Sequence, residues 1–230
     1  MADETYERVL HAAGPIFAEK GFVAATVREI CAAAKVNLAS VNYHFGGKET
    51  LYLETVRLAH TLRVQQVPPA SWSEDATPAA MLRQFIHTTL SRMLGNRELG
   101  WQTQLMMREM LQPTIACKPL VEDFIRPQLN QLLEILDRFL PTNVKKHERH
   151  QIAFSIVGQC LHYRAAGEFV SLLIPKAERD KHYSIGHLAE HITEFSLAAL
   201  AQLAQDASPS KTRRQPMKTR KRRRTHSPNS

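Results

Sequence analysis

The chain has 230 residues, 43% of them hydrophobic, enough to bury a sizeable core in one large domain or in a small one joined to a larger one. No apolar run approaches the ~20 residues needed to cross a bilayer. The acidic start MADETYERVL does not have the form of a secretory signal, and the well-separated Cys31, Cys117 and Cys160 form neither a disulfide framework nor a zinc ribbon; the expected compartment is the cytoplasm.

The formal charge of +8 belongs to one end of the chain. From Ser208 onward it carries Lys211, Arg213, Arg214, Lys218, Arg220, Lys221, Arg222, Arg223 and Arg224 with no acid; without those nine, 21 bases face 22 acids. The overall basicity is therefore no argument that the folded part binds nucleic acid.

In chain order, Tyr6, Val9, Leu10, Ala13 and Phe17 make the i, i+3, i+4, i+7 stripe of a helix from about Glu4 to Lys20. Pro15 interrupts it with a missing donor and a kink risk, and Gly21 supplies the stop. Thr26 with Glu29 three residues on forms the pattern of a capping box. It opens a second helix, Val27 to Ala34, that buries Val27, Ile30 and Ala34. Lys35-Val36-Asn37 makes a tight turn in which Asn37 caps a third helix. In that helix Val41 and Phe45 face inward at i, i+4. Ala39, Ser40, Tyr43 and His44 stay outside, with Asn42 at the edge. Gly46-Gly47 ends it, and Lys48 opens a fourth helix to about Leu62. Two short helices around a tight turn, the second displaying small and polar groups, form a helix-turn-helix whose second helix enters a DNA major groove.

Val67 to Pro78 is a proline- and serine-rich loop. Amphipathic helices are then expected at Ala79–Leu94, Glu98–Leu111, Lys118–Leu140 (kinked at Pro127), His147–Ile174 and Ser184–Asp206. With no alternating strand pattern, the fold class is all-α with about nine helices. A three-helix head over 1–48 precedes a larger helical body over 49–207. A disordered basic tail over 208–230 follows. The last two helices are apolar on more than one face, through Ile152, Ile156, Cys160 and Leu161, then Ile192, Phe195, Leu197, Leu200 and Leu203. Such helices need a second partner, either the core or another subunit.

The stretch AGPIFAEKGFVAATVREICAAAKVNLASVNYHFGGKETLYLETV, from Ala13 to Val56, resembles the TetR family of transcriptional regulators. MMREMLQPT (Met106–Thr114) and GQCLHYR (Gly158–Arg164) are similar to its CecR-like branch. The resemblance implies a DNA-binding head, an all-helical body that binds a small-molecule effector, homodimerisation through the last two long helices, and no cofactor or enzymatic activity. Many members have tyrosine where this chain has Asn42, which bears on base preference.

Resemblance and face analysis give the same DNA-binding set. Thr26, at a helix N-terminus, suits a phosphate. Asn37, Tyr43, His44 and Lys48 suit phosphate contacts that position without specifying sequence. Ala39, Ser40 and Asn42 can reach base edges. Asn37 could instead serve only as a cap, and His44 could pack inside the head. From Met1 to Leu62 six bases face seven acids, so one head is weakly attractive to DNA. Two heads on a two-fold axis, reading a pseudo-palindromic operator, would compensate.

The effector site is less legible. Met106, Met107 and Met110, near Trp101, form a flexible apolar patch that Gln159, His162, Tyr163 and Arg164 could face; the same methionines could be plain core. The pairs His147/His150 and His187/His191 lack further metal ligands and have the character of solvated surface groups. The expected partners are a double-stranded DNA operator, a second copy of the chain and a small-molecule effector, with no membrane. A helical ligand- or metal-binding protein, or a nonspecific DNA binder driven by Lys218–Arg224, are the alternatives.

Overall fold

The computed structural model describes residues 2–95 and 100–207; the basic run from Lys211 to Arg224 lies outside them. Among the described residues there is no strand. The first helix, α1 (Ala2–Ala24), carries Val9, Leu10, Ala13 and Phe17 on its buried face. Its one break in helical geometry falls at Gly21, with φ 77°, not at Pro15. Pro15 and His11, whose carbonyl loses its donor, are both exposed, so water can satisfy that carbonyl. Gly21 needs its freedom twice, for the positive φ and because an added Cβ would meet the Arg108 guanidinium at 2.9 Å.

The capping box of α2 (Val27–Ala34) is formed: Thr26 Oγ1 accepts from the Glu29 amide, and the Glu29 carboxylate accepts from the Thr26 amide. The turn passes through Lys35 in the left-handed region, and Asn37 caps α3 (Leu38–Phe45). Buried positions of α2 are Ile30, Cys31 and Ala34; Val27 is only half-buried. Helix α4 (Lys48–Gln66) runs about one turn beyond the expected Leu62.

The body comprises α5 (Pro78–Leu94), α6 (Gly100–Leu111), α7 (Cys117–Leu120), α8 (Arg126–Leu136), α9 (Lys146–Ala165), α10 (Gly167–Leu173), α11 (Lys176–His182) and α12 (Ile185–Ala207). Two expected long helices are divided. The Lys118–Leu140 segment contains a π-helical turn, Val121–Ile125, in which the Arg126 amide reaches back to the Val121 carbonyl. Pro127 cannot donate, and the wider turn just before it absorbs the irregularity. The second division is at Ala166–Gly167, where helical dihedrals lapse between α9 and α10. Helix α11 gives no apolar stripe in sequence and buries nothing.

Two cores hold the fold. One joins α1–α4 to Leu105 and Met106 of α6 and to Leu120; the other joins α5, α8, α9 and α12 around Leu82, Ile86, Leu132, Ile156 and Ile192. The head is thus welded to α4 and α6, the elements that also border the body. Cys31, Cys117 and Cys160 are free thiols, and burial pushes Cys160 up to about 12.

Candidate DNA-binding surface and internal cavity

Helix α3 is anchored by Val41 and Phe45, the latter stacked on Tyr6 at 4.7 Å between ring centroids. Its opposite face presents Ala39, Asn42 and Tyr43 to solvent, Tyr43 at 83% exposure. The other predicted positions are engaged inside the head. Asn37 Oδ1 accepts from the Ser40 amide at 2.8 Å and from the Ser40 hydroxyl at 2.9 Å. The Thr26 hydroxyl donates to Glu29 at 2.9 Å. Lys48 Nζ donates to the Val23 carbonyl at 3.0 Å and lies 5.0 Å from the Phe22 ring centroid. His44 is half-buried, edge-on to both Tyr6 and Tyr43. The Lys20 ammonium, then the hydrogen bonds from Thr26, hold the Glu29 carboxyl down at about 2, which keeps the capping box ionised.

Where α4, α5, α6, the α7–α8 segment and the end of α9 meet, they line a partly open cavity of about 320 Å³. Its apolar wall includes Met93, Met106, Met107, Met110, Leu120, Val121 and Ile125; its polar side includes His60, Arg63, Arg92 and Arg164. Of the residues expected at an effector site, Met106, Met107, Met110 and Arg164 come together here. Trp101 does not: its ring packs on α1 at Gly14, where an added Cβ would come within 2.5 Å. Gln159 lines a separate groove, His162 is exposed, and Tyr163 turns towards Tyr183 at 6.4 Å. Residues 159 to 164 span more than one helical turn, so they cannot all look one way.

His60, Arg63 and Arg92 are the residues that sequence reasoning passed over. A signal was present, because Arg63 continues the buried series Val56, Ala59, His60, and Arg92 continues Phe85, Thr88. An arginine on the apolar stripe of an amphipathic helix is directed inward. Arg63 Nη2 donates to the Arg92 carbonyl at 3.1 Å, and Arg92 Nε donates to the Val67 carbonyl at 2.8 Å. Burial, then the charges of Arg92 and Arg164, lowers Arg63 to about 10; burial also lowers Arg92.

His60 stacks on Phe124 with centroids 3.8 Å apart. Burial first, then Arg63 and Arg92, holds its imidazole down to about 4. A depressed histidine is neutral in the fold while the unfolded chain takes up the proton. Its contribution is therefore complete above pH ~6.5 and is lost as pH falls towards 4, by on the order of 3 kcal/mol at the lower end. Melting temperatures from pH 7 to 4.5 should fall more steeply in the wild type than in His60→Gln; parallel curves would remove His60 as the cause.

Helix α6 connects this cavity to the head. Its Glu109 is fully buried and accepts from the Tyr52 hydroxyl of α4, from the Thr114 amide at 3.2 Å and from the Thr114 hydroxyl at 2.8 Å. One residue earlier, Arg108 turns the other way and caps the end of α1, donating to the carbonyls of Ala18 at 3.3 Å and Glu19 at 2.7 Å. On the far side of the body, α9 and α12 flank a groove of about 730 Å³ bordered by Ile152, Phe195, Ala199 and Leu203. Phe195 is 61% exposed, and Phe154 of α9 is exposed as well. Among the described residues no three metal-ligating side chains converge; His187 instead meets the Ser184 hydroxyl at 2.9 Å.

A helix-turn-helix head rigidly joined to an all-helical body with an internal cavity is the plan of a one-component transcriptional regulator. The pattern of bacterial regulatory proteins of the tetR family matches residues 9–55, and that of the C-terminal domain of the HTH-type transcriptional dual regulator CecR matches residues 78–200. The chain belongs to the TetR family, in its CecR-like branch, and is a DNA-binding transcriptional regulator. It is 27% identical over 179 residues to CecR of Shigella flexneri, covering 74% of this chain and 80% of that one. Similar solved structures include HlyIIR, a hemolysin II transcriptional regulator (22% identity, 85% of this chain and 98% of that one, TM-score 0.55), and a TetR-like regulator from Rhodococcus sp. RHA1 (19%, 86% and 96%, 0.59). A third is AibR in complex with isovaleryl coenzyme A and operator DNA (18%, 83% and 97%, 0.58). Among the described residues no helix is long and apolar enough to cross a membrane.

Proposed function

We propose that this regulator is a cytoplasmic homodimeric repressor that leaves its operator when a small molecule fills the cavity. The observation that carries the reading is the double attachment of α6. One face of that helix supplies Met106, Met107 and Met110 to the cavity, while Arg108 holds the end of α1 and Glu109 holds Tyr52 of α4. A ligand that shifts α6 relative to α4 favours a head orientation different from the one that fits DNA. By linkage, ligand and operator then weaken each other's binding by the same factor. AibR, a protein of similar fold, was solved in complex with isovaleryl coenzyme A and operator DNA. That supports separate places for a small molecule and for DNA in this fold and leaves the sign of their coupling to experiment.

On DNA, the exposed Ala39, Asn42 and Tyr43 make the direct contacts, with Ser40 beside them. Asn42 is the natural adenine reader, Ala39 meets a thymine methyl, and Tyr43 takes a phosphate. Thr26, Asn37, His44 and Lys48 act partly by holding the head's shape, and the α2 N-terminus still attracts a phosphate. Asn42→Ala should cost about 1–3 kcal/mol of discrimination at one base pair per half-site, read by gel shift on an operator library. The proposal fails if the purified protein protects no inverted repeat near its own gene and prefers no sequence over competitor DNA.

A further inference from the structure

The positive side of the cavity carries charge that no carboxylate among the described residues matches. Arg63, Arg92 and Arg164 all border it. Among the described residues the one carboxylate lining the cavity, Glu109, already accepts from Tyr52 and Thr114. Arg63 Nε and Arg92 Nη2 are buried and have no hydrogen-bond partner among the described residues. Burying guanidiniums without a counter-charge is costly, and an unmade buried hydrogen bond adds to the cost. The rest of the wall is apolar and rich in methionine, which adapts to irregular ligand shapes.

We infer that the cavity binds an amphipathic anion, with one carboxylate or phosphate group held by Arg63 and Arg92 and an apolar body lying against Met93, Met106 and Met110. Arg164, an exposed residue at the end of α9, lines the same cavity and adds to its positive charge. Planar guanidiniums suit a carboxylate or phosphate better than ammonium groups would, because they present paired donors in a fixed fork. The two unpartnered nitrogens provide donors that break no existing bond. The bonds that Arg63 Nη2 and Arg92 Nε already donate to the Arg92 and Val67 carbonyls are kept. An anion seated there ties the end of α4 to α5, and α4 is the helix that follows the recognition helix. Burial first, and then the charges of Arg92 and Arg164, hold Arg63 below its ordinary value, and an anion relieves the repulsive part at the same time.

This inference rests on the proposed ligand response but is tested separately from it. Calorimetry on the full chain would compare hexanoate, octanoate and decanoate with the matching alkyl phosphates and alcohols, below micelle-forming concentrations. The better anion should bind about 10- to 100-fold tighter than its alcohol, as expected for charge-assisted hydrogen bonds, and the carboxylate and phosphate arms identify the headgroup. In Arg63→Gln/Arg92→Gln that preference should vanish, with circular dichroism checking the fold and Arg63→Lys retaining part of it. If no anion binds, or alcohols bind as tightly in the wild type, the inference is wrong whatever the variants do. Anion binding that leaves operator affinity unchanged would keep the anion site and overturn the ligand response. Operator release by alcohols but not by anions would do the reverse.

Discussion

Phe195→Glu is expected to convert the proposed dimer into a monomer and to weaken operator binding by about 10²- to 10⁴-fold. Phe195 projects from α12 beside Ala199 and Leu203, across a groove from Ile152 of α9, and the residue is 61% exposed in the single chain. Each large apolar side chain buried there by a second copy contributes roughly 1.5–3 kcal/mol. A carboxylate in the middle of such a seam removes that gain and adds an unpaired buried charge. The loss on DNA is larger than any one contact, because a second head held by the first binds as if at high local concentration. With six bases against seven acids from Met1 to Leu62, a single head has little electrostatic affinity with which to compensate. Sedimentation velocity and gel shifts on the same sample check the prediction. A monomeric variant that kept wild-type operator affinity would refute the two-headed mechanism.

Phe45→Ala is expected to destabilise the chain by about 3–5 kcal/mol, the usual range for emptying a buried aromatic site. Phe45 is 4% exposed, stacks on Tyr6 and belongs to the core that joins α1, α3 and α4. The damage should be concentrated in the head, since the second core of Leu82, Ile86, Leu132 and Ile192 contains no residue of α3. Urea denaturation followed by circular dichroism measures the loss, and operator binding should disappear before the body unfolds. An unchanged denaturation midpoint would mean that α3 is held by something other than this contact.

These two variants also separate the parts of the molecule that differ in how well they can be read from sequence. The head was legible almost to the residue. Its caps at Thr26 and Asn37, the capping carboxylate of Glu29 and the inward pair Val41 and Phe45 are all relations between residues at most four apart. Local hydrogen bonding and helical periodicity decide such relations before any tertiary contact forms. The length of α4, the π-helical turn ahead of Pro127 and the separation of α10 from α9 were not legible. Each depends on a neighbour or on a small lapse in backbone geometry that composition does not mark.

The cavity lies between these extremes. The methionines on α6 and Arg164 on α9 could be picked out as residue types, but the rotation of α9 about its axis could not be known. Gln159, His162 and Tyr163 accordingly lie elsewhere. Arg63 and Arg92 carried a signal in their position on apolar stripes, yet a lone arginine on such a stripe can also extend its stem to the surface and keep its charge in water. The helical class, the helix-turn-helix head and the family were readable from the residues alone, because they follow from short-range patterns repeated over many residues. That three arginines from three helices line one cavity, and that one helix lines it while also gripping the head, depends on long-range packing. Residues separated by 29 and 72 positions, as Arg63 is from Arg92 and Arg92 from Arg164, meet only when the packed helices bring them together.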